Sequence, residues 1–179
     1  GDVISFAQPP VELGENLIAG HTLDNRASVA AVTACLEVLQ TLEHQWDVWA
    51  VATVQEEESL AGAFTSGFAL QPQLAVAIDV THATGPGTPG HKSFPLDKGP
   101  VLGWGPNIHP GLFDAFKELA DQMEYSYQTE VMPRHSGTDA YAMQVTAAGI
   151  PTMVVSIPLR YMHTPVEVVS FKDITRTGR

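Results

Sequence analysis

Residues 46–62, WDVWAVATVQEEESLAG, pass from an almost unbroken apolar run into three consecutive carboxylates, Glu56, Glu57 and Glu58. The run 46–54 is short and rich in Val and Trp, the pattern of a strand buried on both faces. Three like charges set at the end of such a strand repel one another and are partly desolvated, so the pattern calls for a counter-charge nearby. A second run, LAVAIDV at 74–80, and a third, PTMVVSI at 151–157, read as further buried strands.

The intervals between these runs read as helices. Val29, Val32, Leu36 and Leu39 recur at three-to-four spacing and predict a helix over 25–43. A short helix is expected near 60–70. Leu112, Phe113, Phe116, Leu119 and Met123 mark an amphipathic helix, YSYQTEVM (125–132) alternates like a strand, and TDAYAMQV (138–145) reads as helical. Residues 82–100 are rich in Gly and Pro and form a long loop. SFKD (170–173) has the form of a capping box opening a last helix. Strands alternating with helices imply an α/β fold: a three-layer α/β/α sandwich around a mixed, mostly parallel sheet.

Composition narrows the function classes. The chain has 179 residues, 44% of them apolar, and a net charge of −11. That excess argues against nucleic acid or an anionic membrane as partner, since both need a basic footprint. No apolar stretch approaches the ~20 residues that span a bilayer. A single cysteine, Cys35, is consistent with a reducing, cytoplasmic compartment.

The acidic residues fall where α/β sheets place ligands, beyond the carboxyl ends of strands. Asp24 precedes the first helix, Glu56 and Glu57 follow the first strand, Asp79 closes the second, and His163 follows the third in RYMHTP. Carboxylates converging on one rim need a cation, and carboxylate plus imidazole suits zinc, cobalt or manganese. With two metals about 3.5–4 Å apart, one carboxylate bridges the pair and another can serve as general base. Taken singly, an acidic triplet can be a solvated loop and Asp24 an N-cap. Asp79 is harder to dismiss, because a buried carboxylate needs a partner. His44 and His109 read as surface or cap residues, whereas His21, His82, His91 and His135 lie in loops where either reading stands.

The segments LDNR (23–26), VQEEESLAGA (54–63), AIDVTHATGPGTPG (77–90), LDKGPV (96–101), GTDA (137–140) and GIPTMVVSIPLRYMHTPVEVV (149–169) resemble the tetrahedral (TET) and glutamyl aminopeptidases, di-metal metallopeptidases once labelled cellulases. They occur in that family's order. The resemblance implies that residues 18–179 are a catalytic metallopeptidase domain and residues 1–17 the tail of an inserted dimerisation domain. It implies two divalent ions, zinc or cobalt, in the complete enzyme, with peptides as substrates. Asp24 would bridge the metals, Glu57 and His163 would complete one site, Asp79 would ligate the other, and Glu56 would be the general base. The Asp24–Asn25 peptide bond would be cis. Asn25, Thr138, Asp139 and Arg160 would support the rim or the substrate.

This chain also departs from the family pattern. The family's further His ligand, in a His-x-Asp motif before the bridging Asp, has no counterpart here, nor does the inserted domain. Glu58 and Ser59 stand where the family has a small apolar residue and Gly, and the loop HATGPGTPG lacks the Asp that commonly precedes Thr-Pro-Gly. The expectation is a chain that continues beyond both ends, holds no metal or one, and behaves as a monomer or weak dimer where the family forms dimers and dodecamers. Two other readings stand beside an aminopeptidase: a non-catalytic fragment with an incomplete metal site, and a glycosidase using Glu56 and Glu57.

Overall fold

The structure is a computed structural model that describes residues 1–179. Seven strands form one mixed sheet: β1 (Val11–Leu13), β2 (Leu17–Gly20), β3 (Ala75–His82), β4 (Val101–Trp104), β5 (Gln128–Val131), β6 (Thr152–Arg160) and β7 (Glu167–Ser170). Six helices accompany them: α1 (Leu23–Leu39), α2 (Glu56–Ser59), α3 (Ala61–Leu70), α4 (Pro110–Gln122), α5 (Asp139–Val145) and α6 (Phe171–Gly178).

Strand β6 organises the sheet. Its residues 152–159 are all buried, as a run of nearly unbroken apolar character dictates. β3 lies parallel to it from Ala75↔Thr152 to His82↔Leu159, while β4 and β7 pair antiparallel on its other edge. The complete order is β1-β2-β7-β6-β4-β5, with β3 branching from β6. The expected mixed α/β sheet is present. The ladders β3–β6 and β4–β5 are parallel, and the other four are antiparallel.

Two cores result. Ala77, Leu102, Phe113, Ala140, Met153 and Val155 close one, beneath α4 and α5. Leu23, Ala27, Ala31, Val80, Ile157 and Val169 close the other, where α1 and α6 pack on the sheet and on each other. Gly178 permits that helix contact: a Cβ there would meet the Ala31 carbonyl oxygen at 2.4 Å. No helix is long and apolar enough to cross a membrane.

One expected element is not formed. Residues 46–54 join no ladder, and Trp46, Val48, Trp49, Val51 and Val54 are exposed. A strand needs a neighbour for its backbone N–H and C=O groups, and the strand nearest in kind, β3, is paired with β6 alone. The apolar pattern is therefore present without the pairing that would bury it. The capping box is half as drawn. The Ser170 hydroxyl accepts from the Lys172 N–H at 3.2 Å, but Asp173 turns away, accepting from the backbone N–H groups of Asp97 (2.7 Å) and Gly99 (2.9 Å).

Candidate metal centre

The carboxylate triplet winds into the single turn α2, flanked by residues in the left-handed region, Gln55 (φ 58°) and Leu60 (φ 57°). Consecutive side chains on a helical turn point about 100° apart. Glu57 thus faces the end of α1 while Glu56 turns toward Asp139. The peptide bond between Asp24 and Asn25 is cis, as the resemblance implies. His163 follows β6 and is itself in the left-handed region (φ 62°).

These elements bring three groups together. The His163 Nε2 atom lies 3.1 Å from Asp24 Oδ2 and 3.3 Å from Glu57 Oε2. One ligand atom from each of the three lies within 4.8 Å of the others. The Asp24 side chain is 8% exposed, whereas His163 and Glu57 are more than half exposed, so the cluster has a buried floor and an open mouth. Ser5, Phe6, His21, Thr164 and Pro165 line that mouth.

A fourth residue, unread in the sequence, holds the cluster in shape. Glu167 is 2% exposed, and its two carboxylate oxygens accept from the backbone N–H of Asp24 (3.0 Å) and of His163 (2.8 Å). One buried side chain thus fixes the spacing between two would-be ligands. Its only sequence signal was a lone acid in the apolar run VEVV.

Asp79 lies outside the three-residue group. Its Oδ1 accepts from the Asn25 side-chain amide at 2.9 Å and from the Val80 N–H at 2.8 Å. Asn25 in turn accepts from the Ser28 N–H, which aligns it at the start of α1. Asp79 is nonetheless an electrostatic neighbour of the site. Burial pushes its carboxyl up to about 8, with Glu56, Asp24 and Asp139 adding to the rise. Burial, followed by the charge of Asp139 and then of Glu57, raises Glu56 to about 7. Asp24 rises to about 6 through burial and the Glu57 charge, opposed by His163. Burial is the first cause of all three rises, and the proximity of the carboxylates to one another adds to each.

The remaining residues expected at the rim take supporting places. The Thr138 hydroxyl caps α5, accepting from the Ala140 N–H. Asp139 Oδ2 accepts from the Thr53 hydroxyl at 2.6 Å. Arg160 Nε donates to the Thr84 carbonyl at 2.7 Å and braces the loop after β3; it makes no ion pair with the cluster.

Two carboxylate oxygens and one imidazole nitrogen, drawn together over the buried Asp24, are a donor set for a divalent ion such as zinc. Comparison with known proteins identifies the family. The family model of the M42 glutamyl aminopeptidases matches residues 1–179. A lysyl aminopeptidase of Pyrococcus furiosus is 40% identical over 99% of this chain and 51% of its own length. Among solved structures, an aminopeptidase of the archaeon Desulfurococcus kamchatkensis superposes with a TM-score of 0.84 at 35% identity, over 97% of this chain and 50% of its own. A TET peptidase of Pyrococcus horikoshii, which assembles into a tetrahedron or a large octahedral shell, gives 0.80 at 28% identity, over 97% and 51%. The chain spans about half the length of the relatives it matches.

Proposed function

Because this chain belongs to the M42 glutamyl aminopeptidase family, we propose that it supplies the catalytic residues of a metal-dependent aminopeptidase that removes N-terminal residues from peptides. The observation that carries the proposal is the meeting of Asp24, Glu57 and His163 within 4.8 Å. In this reading those three residues hold one zinc or cobalt ion. Asp24 would also serve a second ion, with Asp79 as its further ligand. Ions so held polarise the scissile carbonyl and lower the pKa of water.

Glu56 is the general base. It stands outside the three-residue group, on the same turn as Glu57, where a positioned carboxylate can take a proton from water and return it. It takes the proton of the attacking water and delivers it to the leaving amine. Glu167 keeps Asp24 and His163 at a fixed separation while this happens. The open mouth, with Phe6 and Pro165 at its edge, admits an extended peptide end.

A second reading has its own support. Only one three-ligand group is assembled, and Asp79 is already engaged by Asn25, which favours one ion in the 179-residue chain. The glycosidase alternative finds no such support, since adjacent glutamates on one turn diverge instead of facing each other across a sugar.

Metal content separates the readings. Mass spectrometry of the zinc-loaded chain is expected to give at least one equivalent, lost in H163A. Two equivalents favour the di-metal enzyme, one the partial site, and none contradicts both. In protein that cleaves aminoacyl substrates, Glu56→Gln should lower kcat about 10²–10⁴-fold with metal content unchanged. Normal turnover in that variant would remove Glu56 from the role.

A further inference from the structure

The turn bearing Glu56 and Glu57 hangs from a segment that no sheet ladder holds, which raises the question of what sets its position. Two tethers are visible. The Val54 carbonyl accepts from the Gly62 N–H at 2.9 Å, closing the turn on itself. The Thr53 hydroxyl donates to Asp139 Oδ2 at 2.6 Å, across 86 residues of sequence. Apart from the contacts of Glu57 with His163 and Asp24 inside the cluster, no other side chain in residues 46–60 forms a hydrogen bond to a distant element.

The far end of that bond is rigidly mounted. Asp139 opens α5 immediately after the cap residue Thr138. The preceding loop is pinned by the Ser136 N–H donating to Asn107 Oδ1 at 2.7 Å, and Asn107 is tied in turn to Gln144 on α5 at 2.6 Å. The other Asp139 oxygen is buried without a hydrogen-bond partner, so Thr53 is the one hydrogen-bond partner of this carboxylate. Thr53 itself is the one half-buried residue in an otherwise exposed stretch, 46–54.

We propose that the Thr53–Asp139 hydrogen bond is a positioning clamp that fixes the glutamate turn against α5 and so sets the reach of Glu57 to the metal centre. Neither residue touches the ion in this assignment; both act through the turn. The inference rests on the metal-binding reading above. Partners that orient metal ligands from behind are worth about 10–100-fold in affinity when removed, and a hydroxyl-to-carboxylate bond is of the stronger, charge-assisted kind.

Zinc titration by calorimetry tests the clamp on the 179-residue chain, with circular dichroism and the melting point in chelator as controls for folding. T53V removes the hydroxyl at constant shape and should weaken zinc binding about tenfold or more. T53S keeps the hydroxyl and should bind within about threefold of the parent; D139N keeps an acceptor but loses the charge, and should bind zinc more tightly than D139A. The double variant T53V/D139A should bind no more weakly than the weaker single, because both substitutions break one bond. Parent-like zinc binding in T53V, loss of affinity in T53S equal to that in T53V, or additive losses in the double variant would each overturn the clamp. If T53V does not fold, D139A set against D139N gives the same comparison from the other side, and equal affinities there overturn it. A parent chain that binds no zinc would instead fail the metal-binding reading itself, and the clamp with it.

Discussion

Asp24, Glu56 and Asp79 have ordinary carboxyl values of 3.8, 4.5 and 3.8, and the fold lifts them to about 6, 7 and 8. Each folded-state value lies above its unfolded one, so between them the folded chain binds more protons, and stability falls as pH rises. The metal-free chain should therefore lose thermal stability progressively from about pH 4 to about pH 8. Zinc should restore it at the upper end of that range. Melting points in chelator at pH 5, 6, 7 and 8 check this, and a midpoint that climbs with pH would contradict it. D79N should flatten the decline most, because its carboxyl is raised furthest. Glu167 gives a second expectation at this scale. E167A leaves the Asp24 and His163 N–H groups without their acceptor, at about 1–3 kcal/mol for each buried orphan. Zinc affinity should fall with it, by about 10–100-fold. The acidic residues bordering apolar runs were legible because charge in an apolar context is conspicuous. Glu167 was not, since its role lies in which backbone N–H groups the fold brings to it, and nothing local in VEVV specifies that.

At the scale of elements, the buried strands β3 and β6, the helices α1 and α4, and the start of α6 could be read from periodicity and caps. The short strands β1, β2, β4 and β7 could not: three or four residues carry too little pattern, and register comes from partners distant in sequence. The segment 46–54 shows the converse. Its composition is that of a central strand, but composition supplies no ladder, and the chain leaves it exposed. Where the backbone does close tightly, sequence and geometry agree. A Cβ on Gly62 would meet the Val54 nitrogen at 2.4 Å and oxygen at 2.6 Å. G62A must therefore displace the turn, at a cost of about 1–3 kcal/mol. Urea denaturation measures the loss. An unchanged midpoint would show that the Val54–Gly62 closure does not tether the turn.

The whole molecule combines a strongly acidic surface with an unpaired β3 edge and a run of exposed Trp and Val at 46–54. Net charge keeps copies apart, whereas an open edge and an apolar patch draw them together. The two effects oppose each other through an ionic-strength-dependent term. Light scattering on the 179-residue chain should therefore show a monomer or weak dimer at low salt and growing association as salt rises. A stable closed assembly at low salt, of the kind formed by the Pyrococcus horikoshii relative, would contradict that balance. Asp24, Glu57 and His163 meet where α1, α2 and the loop after β6 converge. Crystals soaked in zinc and measured at the zinc absorption edge test that point as a metal site most directly. An anomalous peak is expected about 2.0–2.2 Å from Asp24, Glu57 and His163. A well-ordered site with no peak between those three side chains would contradict it.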